Sequence, residues 1–264
     1  MLSLYYPGRH TFPSLSCTGS WCGLSCLHCG GRTLHGMADC GNGMLEAVCE
    51  QAKIGGAAGA LLSGGCTAAG AVPHDYVAMG RVARTGFLLN VHTGLLPDVP
   101  PALSRVACVS LDIPPSDHTV QEVYGLSTAC QADYFDVLER LLGAGASVCP
   151  HVCIGIDGPE GSGEKETLER LASYVDRVVL LTLRRVGGQP YTDRRMNAKT
   201  TEKVIKDARE RFKNLGLGCM RDRTPAKERL WHYFDTIAWP SAIMKDELAR
   251  SERTCTTYET CCAV

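Results

Sequence analysis

The sequence has no excess of charge of either sign, because 27 lysine and arginine residues are balanced by 28 aspartate and glutamate residues. This balance argues against a protein dedicated to nucleic acid or to a membrane surface, since both attract basic side chains. Long hydrophobic runs are also missing, and the longest, Ala57–Leu62, is far shorter than the roughly 20 residues of a membrane span. The N-terminal residues are interrupted by Pro7, Gly8, Pro13 and Gly19, so no signal peptide is predicted. We therefore expect a soluble, cytoplasmic protein.

Cysteine, in contrast, is abundant: the chain has 15, an odd number. In a reducing compartment, thiols at this density are more typical of metal ligands or catalytic groups than of disulfides. Two groups stand out, an N-terminal group of Cys17, Cys22, Cys26 and Cys29 and a C-terminal group of Cys255, Cys261 and Cys262. Clustering at both ends is typical of ligand sets, whereas core cysteines would be scattered.

Short apolar or β-branched runs alternate with amphipathic helical patterns along the chain. The predicted strands are 12–17, 59–63, 86–92, 107–113, 147–155, 177–183, 216–220 and 236–239. The predicted helices are 43–54, 74–84, 99–104, 132–143, 163–174, 199–213, 224–235 and 241–251. Alternation of this kind predicts a (βα)8 TIM-type barrel, and a doubly wound open sheet is the alternative, because periodicity does not reveal closure. We expect one barrel domain over 1–251 and a cysteine-containing tail over 252–264.

Polar or small residues follow several predicted strands at their C-terminal ends. They are Ser63, Gly64, Gly65, His92, Asp112, Gly155, Arg184 and Cys219. Any one of them is as well explained by the start of a loop, but TIM-type barrels carry their active sites at this face. The set therefore predicts an active site there, in which Asp112 either holds a ligand hydroxyl or caps a loop.

One motif carries specific chemistry: Cys22, Cys26 and Cys29 form a C-x3-C-x2-C pattern directly after the first predicted strand. Three thiolates on one loop can hold three irons of a [4Fe–4S] cluster and leave the fourth iron open to a substrate's amine and carboxylate. The alternative is a structural zinc site of four cysteines that includes Cys17.

This loop resembles that of the radical S-adenosylmethionine (radical SAM) superfamily. The resemblance implies a catalytic [4Fe–4S] cluster on Cys22, Cys26 and Cys29, with S-adenosylmethionine as cofactor. It also implies cofactor-binding roles for Ser63, Gly64 and Gly65 near the methionine ammonium, Asn90 and His92 near the ribose, Ile154 and Gly155 near the adenine, and His28 over the cluster or the adenine. Cys66 stands where the family usually has an acidic residue.

Further segments are similar to the biotin-synthase-like archaeal group that includes the two-component lipoyl synthases. These segments are Cys29-Gly30-Gly31 with Met37, 62–66, 90–94, Pro150-His151, Gly155 with Glu164, and 218–221. The similarity implies a transferase of lipoate biosynthesis that inserts sulfur into an octanoylated lipoyl-carrier protein. It implies as partners a second radical SAM subunit and a ferredoxin- or flavodoxin-type electron donor.

Sulfur-inserting relatives use an auxiliary iron–sulfur cluster as sulfur donor. The predicted ligands are Cys219, Cys255, Cys261 and Cys262, because thirteen extended tail residues span roughly 43 Å and can return to the barrel rim. The alternative set, inside the barrel, is Cys108, Cys149 and Cys153, where Cys108 shares a strand face with Asp112. Cys40, Cys49 and Cys130 are expected to be small buried hydrophobes.

Two other functions remain open from the sequence. A radical SAM enzyme without sulfur donation would rearrange or methylate another small molecule. A zinc-binding or iron–sulfur scaffold would have no turnover.

Overall fold

The computed structural model describes residues 1–189, 191 and 196–264, and it contains one large α/β unit. Its strands are β1 Leu2–Tyr5, β2 Ser14–Ser16, β3 Ala38–Asp39, β4 Gly59–Ser63, β5 Leu88–His92, β6 Cys108–Asp112, β7 Val148–Ile154, β8 Arg177–Thr182, β9 Asn214–Leu217, β10 Thr236–Ala238 and β11 Cys255–Tyr258. The helices are α1 Leu45–Ile54, α2 Tyr76–Arg84, α3 Gln131–Gly143, α4 Ser162–Leu171, α5 Ala198–Arg211, α6 Pro225–Glu228 and α7 Ala242–Ala249. Short 3₁₀ helices cover Arg32–Gly36, Pro101–Ser104 and Arg229–Tyr233, and a π-helical turn covers Thr119–Val123.

All strands join one parallel sheet in the order β11-β1-β10-β9-β8-β7-β6-β5-β4-β2-β3. The sheet curls into a half-barrel, and among the described residues no ladder joins its two edge strands, β3 and β11. The expected parallel α/β fold of TIM type is therefore confirmed, whereas the sheet has three strands more than the eight of a (βα)8 barrel.

The predicted strands correspond to β2 and to β4 through β10, and the predicted helices to the observed helical segments. Local capping explains where several helices begin. Asp75 accepts a hydrogen bond from the Ala78 N–H at 2.9 Å, Asn197 from the Thr200 N–H at 2.9 Å, and Ser241 from the Met244 N–H at 3.2 Å. These side chains satisfy backbone donors that have no partner within the helix.

Alternating residues of each strand face two different environments, as a pleated strand requires. On β8, Val178 and Leu180 are fully buried in the core between the sheet and the helices. Val179 and Leu181 face the inside of the curl, which we call the lumen, and pack in a separate cluster. Parallel barrels bind their ligands at the end of this space where the C-terminal ends of the strands meet.

The C-terminal residues enter this lumen. β11 pairs with β1 in parallel, with Leu2 opposite Cys255 and Tyr5 opposite Tyr258. Beyond β11, Cys262 and Ala263 are buried at 4% and 1% exposure, against β-strand residues that face the lumen. The chain after residue 251 is thus built into the sheet and its interior.

Among the helices of the described ranges, none has both the length and the apolar composition to span a membrane.

Candidate metal centre and thiol-lined lumen

Residues 17–29, which we call the cysteine loop, and residues 63–66, the glycine turn after β4, are joined by three hydrogen bonds. The Cys17 N–H donates to the Ser63 carbonyl at 2.8 Å, and the Gly23 N–H donates to the Cys66 carbonyl at 2.7 Å. The Gly65 N–H donates to the Thr18 hydroxyl at 2.7 Å. This pairing follows from the register of β2 against β4, which brings their C-terminal ends side by side.

Glycine at position 65 is required by this close approach. A Cβ atom there would lie 2.0 Å from the Trp21 carbonyl oxygen and 2.5 Å from the Cys22 Cα. At position 64 it would lie 2.7 Å from the Cys17 sulfur. The two glycines let the turn lie directly against the cysteine loop, as only residues without a side chain allow.

Two of the three motif thiols and a histidine already form a ligand-like group. The sulfurs of Cys26 and Cys29 and a ring nitrogen of His28 lie within 4.8 Å of one another. The hydrogen bond between the two thiols raises the pKa of Cys26 and lowers that of Cys29, and His28 lowers the pKa of Cys29 further. The site therefore favours a thiolate beside two other donors, which is the chemistry a metal or iron–sulfur cluster needs.

Cys22, the third cysteine of the motif, lies outside this group of ligand atoms and contacts the glycine turn. Its sulfur lies 4.0 Å from the Cys66 carbonyl oxygen, and its Cβ lies 3.6 Å from the point that a Cβ on Gly31 would occupy. The Nδ1 atom of His28 is buried without a hydrogen-bond partner. A buried nitrogen without a partner among the described residues, beside the thiols of Cys26 and Cys29, fits a metal-containing cofactor.

The far side of the cysteine loop rests on the π-helical turn. The Leu27 N–H donates to the Val123 carbonyl at 2.8 Å, and the Cys26 sulfur lies 3.6 Å from the Tyr124 carbonyl oxygen. The ring of His28 lies 5.4 Å from that of Tyr124. The loop is thus held from both sides before any cofactor binds.

Three polar side chains line the lumen at the C-terminal ends of β5, β6 and β7. Nδ1 of His92 lies 3.4 Å from the Asp112 carboxylate, and the His92 ring lies 5.5 Å from that of His151. Burial lowers the pKa of His92, but the hydrogen bond and charge of Asp112 outweigh it, so the pKa is raised. His92 and Asp112, predicted separately as cofactor contacts, form one charged pair at the open end of the lumen.

The opposite part of the lumen is lined by thiols. Cys108 and Cys149, near the starts of β6 and β7, share a hydrogen bond that raises the pKa of Cys108 and lowers that of Cys149. Cys261 and Cys262 from the tail pack in the same cluster. The Cys262 thiol donates to Cys261, and the pKa of Cys261 falls to about 6. The two alternative ligand sets of the sequence, tail and interior, meet here.

The tail is fixed in the lumen by two polar contacts. The Asn90 amide donates to the Cys261 sulfur at 3.1 Å, while its oxygen accepts from the Ser110 hydroxyl at 2.7 Å. Arg177 donates to the Cys262 carbonyl at 2.6 Å. Asn90, predicted to contact a ribose, is 1% exposed and engaged with the tail.

The segment predicted to lie beside an adenine is held by a buried acid. The Ile154 side chain lies in the core between sheet and helices, and its carbonyl accepts a hydrogen bond from the Leu183 N–H at 2.9 Å. Gly155 has a φ of 87°, a conformation that favours glycine. Its N–H donates to the Glu164 carboxylate at 2.8 Å, and the second oxygen of Glu164 is buried without a partner.

Of the remaining predicted ligands, Cys255 and Cys153 lie apart from the tail thiols, whereas Cys219 interacts electrostatically with Cys261 and Cys262. Cys255 is exposed on β11, where its thiol donates to the Arg253 carbonyl at 3.5 Å, so it does not enter the lumen with Cys261 and Cys262. Cys219 follows β9 and is exposed. Cys153 faces the lumen nearer its open end, and burial is the main reason that its pKa is raised.

Two arginines add to this description: the half-buried Arg177, which is not among the sequence-predicted site residues, and the buried Arg221, for which the sequence leaves open a carboxylate-binding role or a solvated surface position. Arg177 has a sequence signal, since it shares strand parity with Val179 and so faces the lumen. Arg221 lies in a buried ion pair with Glu228 at 2.7 Å and also donates to the carbonyls of Gly218 and Ala238. No local sequence pattern reveals that pairing, which joins the ends of β9 and β10.

Solved structures with the same fold were found by structural comparison. Methylornithine synthase (PylB) has a TM-score of 0.57 and 13% identity over 90% of this chain and 74% of that chain. SuiB of Streptococcus suis bound to the precursor peptide SuiA has a TM-score of 0.57 and 12% identity over 93% of this chain and 55% of that chain. SuiB bound to S-adenosylmethionine has a TM-score of 0.55 and 15% identity over 85% of this chain and 53% of that chain.

These neighbours are radical SAM enzymes. The fold is theirs. The chain spans about three quarters of the length of methylornithine synthase and about half the length of SuiB. No family model matches the sequence, and no curated protein matches it at a significant level.

Proposed function

We propose that the protein is a radical SAM enzyme that holds a [4Fe–4S] cluster on Cys22, Cys26 and Cys29. The observation that carries this proposal is the placement of the three-cysteine loop. It lies at the C-terminal end of β2, hydrogen-bonded to a glycine turn and facing a lumen with a charged pair at its mouth. The fold shared with radical SAM enzymes supports it.

A bound cluster would supply one electron to S-adenosylmethionine, and the chain would do the rest by positioning. Cys22, Cys26 and Cys29 are the proposed ligands. The turn at Gly64 and Gly65 offers a surface without side chains beside the loop. The backbone around Gly155, braced by Glu164, would lie beside the purine, and the curled sheet limits the access of water.

The test is reductive cleavage of S-adenosylmethionine by the anaerobically reconstituted protein. We expect about one [4Fe–4S] cluster at this loop and formation of 5′-deoxyadenosine, both lost in Cys26→Ala. Cys130→Ser is the matched control, because Cys130 is a half-buried thiol at the start of α3, away from the loop. Cleavage retained by Cys26→Ala would mean that the cluster lies elsewhere.

The finer proposal is sulfur insertion into an unactivated C–H bond of an octanoylated lipoyl-carrier protein. In this role the protein would be one component of a two-subunit lipoyl synthase, supplied with electrons by a ferredoxin- or flavodoxin-type donor. It is supported by the segments similar to two-component lipoyl synthases and by the thiols inside the lumen. A sulfur donor there would face a substrate that enters from the open end, past His92 and Asp112.

The auxiliary cluster of this proposal is assigned to Cys108, Cys149, Cys261 and Cys262. These thiols share one buried cluster of the lumen, whereas Cys255 lies outside it. Cys149→Ala should then remove roughly one cluster's worth of iron and abolish thiolated product while leaving 5′-deoxyadenosine formation intact. Cys255→Ala is the control that should change neither. Unchanged iron in Cys149→Ala would remove the auxiliary site from the lumen.

A zinc-binding scaffold is the second candidate, because three donors within 4.8 Å of one another also suit a single tetrahedral ion. Metal analysis separates the two functions. A colourless, zinc-loaded protein after anaerobic purification would contradict the enzyme proposal.

A further inference from the structure

We propose that Asp157 is a positioning residue for the cysteine loop, which it holds in place through the π-helical turn of residues 119–123. This inference rests on the proposed function, because the loop that it fixes is the one that would hold the cluster. It assigns a role to a carboxylate outside the three-cysteine motif.

The Asp157 carboxylate is bound to the start of the π-helical turn. Its Oδ1 atom accepts hydrogen bonds from the Ser116 hydroxyl and, at 2.8 Å, from the hydroxyl of Thr119, which is fully buried. The Thr119 N–H donates in turn to the Ser116 hydroxyl at 3.1 Å. Hydrogen bonds to a charged acceptor are stronger than those between neutral groups. One carboxylate oxygen therefore fixes both side chains at the point where the turn begins.

The same carboxylate packs against the first turn of α4. A Cβ atom on Gly163 would lie 2.6 Å from Asp157 Oδ2 and 2.9 Å from the Pro115 carbonyl oxygen. The Pro115 carbonyl also accepts from the Thr167 hydroxyl at 3.2 Å. The loop after β7 and the segment that leads into the π-helical turn are thus held against one helix, so the carboxylate has a fixed position.

The end of the π-helical turn is bonded to the cysteine loop. The Tyr124 N–H donates to the Thr119 carbonyl at 3.0 Å, which closes the turn. The Val123 carbonyl accepts from the Leu27 N–H at 2.8 Å, and the Tyr124 carbonyl oxygen lies 3.6 Å from the Cys26 sulfur. A short series of hydrogen bonds therefore joins the start of the turn to the backbone of the cysteine loop.

This connection links two segments to which the proposed function gives different parts of S-adenosylmethionine. Gly155, which would lie beside the purine, comes two residues before Asp157, and Cys26 would hold an iron of the cluster. Cleavage needs both ends of the cofactor in place at once, and a rigid connection keeps their separation constant. The π-helical turn, a rare structure that is frequent at functional sites, serves as the brace between them.

The first test is hydrogen–deuterium exchange of the reconstituted proteins, followed by mass spectrometry of the peptide that contains Leu27. Asp157→Ala should speed the exchange of this peptide by roughly tenfold, the effect of losing one hydrogen bond to a charged group. Asp157→Asn should restore the wild-type rate, because its amide oxygen still accepts from both hydroxyls. Equal exchange in wild type and Asp157→Ala would overturn the inference.

Asp235→Ala is the matched control. Asp235 is a half-buried carboxylate whose Oδ2 atom accepts from Arg209 and, at 2.8 Å, from the Leu215 N–H. Its replacement also removes a carboxylate oxygen with a pair of donors, but Asp235 comes directly before β10, at the opposite ends of the strands from the cysteine loop. The control should lose stability in urea without faster exchange at Leu27. Exchange raised equally by both variants would show general loosening and overturn the inference.

The second test is the rate at which a chelator removes iron from the reconstituted cluster, followed by the cluster's absorbance. Thr119→Val keeps the shape of the buried side chain and removes only its hydroxyl, so this variant should fold. It should lose iron several-fold faster than wild type. Combining it with Asp157→Ala should add little to the effect of Asp157→Ala, because both changes break the same connection. Fully additive effects, or a rate equal to that of wild type, would overturn the inference.

The two proposals fail in different ways. Wild-type protein that assembles no iron–sulfur cluster overturns the proposed function, and this inference with it. Wild-type protein that assembles the cluster and cleaves S-adenosylmethionine, but shows no difference from Asp157→Ala in exchange or in iron loss, overturns the inference alone.

Discussion

Replacing Glu164 by glutamine should make the protein more stable at alkaline pH and leave it almost unchanged in acid. Glu164 lies in the first turn of α4 and its side chain is fully buried. One of its oxygens accepts from the Gly155 N–H, and the other has no partner among the residues that the structure describes. Burial raises the pKa of Glu164 to about 7, from the 4.5 of an unburied glutamate. The folded protein therefore binds a proton that the unfolded chain has already released.

The direction and size of the change in stability follow from this difference in the pKa of Glu164 between the folded and unfolded states. Between pH 4.5 and 7 the folded state holds more protons than the unfolded state, so stability falls as the pH rises. At about 1.36 kcal/mol for each pKa unit, the loss amounts to about 3 kcal/mol above pH 7. Glutamine keeps the oxygen that accepts from Gly155 and carries no charge, so Glu164→Gln escapes this loss.

The assay is urea unfolding of wild type and Glu164→Gln at pH 5 and at pH 8. The variant should gain up to about 3 kcal/mol over wild type at pH 8 and less than about 1 kcal/mol at pH 5. Glu166→Gln is the control, because Glu166 is an exposed neighbour on α4 and should show no such trend. A stability difference for Glu164→Gln that does not vary with pH would refute the reasoning.

Three further predictions concern other buried groups. Burial lowers the pKa of His74 to about 4. The free energy of unfolding in urea should therefore fall as the pH drops below 6.5, by about 3 kcal/mol near pH 4. His74→Gln should make this free energy nearly independent of pH in that range. Arg221→Met should lower the free energy of unfolding in urea by about 3–5 kcal/mol, because it leaves Glu228 buried and unpaired. Adding Glu228→Leu should recover most of that loss. Losses that simply add in the double variant would contradict the pairing. Arg177→Gln should release the tail, measured as faster alkylation of Cys262, and an unchanged rate would mean that packing alone holds it.

Much of the sheet could be predicted because its central strands bury both faces in short apolar runs. The runs that became β4 through β10 carry that pattern over enough residues to be recognised. β1 was missed although Leu2 and Leu4 alternate with Ser3 and Tyr5, because four residues give too short a pattern. Its partners, β10 and β11, lie at the other end of the chain, and no local rule brings them together.

The candidate site shows the same division between local and long-range information. Strand parity correctly predicts that Cys108 and Asp112 share a face, and spacing brings Cys26 and Cys29 together. The sequence leaves the tail cysteines and the interior cysteines as alternatives. Strand parity indicates which residues face the lumen, but it does not indicate which distant segment of the chain fills the lumen. Asn90 has the parity of His92 but lies two residues further from the open end, where the tail meets it.

The position of the tail has a consequence for any substrate of this lumen. The motif cysteines and the pair of His92 and Asp112 lie beside the open end. Cys261 and Cys262 lie deeper, where Cys261 accepts from Asn90, two residues before His92 on β5. A substrate that enters from the open end therefore meets the cysteine loop first and the tail thiols last. In the proposed sulfur insertion, hydrogen abstraction near the loop and bond formation near the tail would require one carbon within reach of both, which favours a slender, extended chain over a bulky ring system.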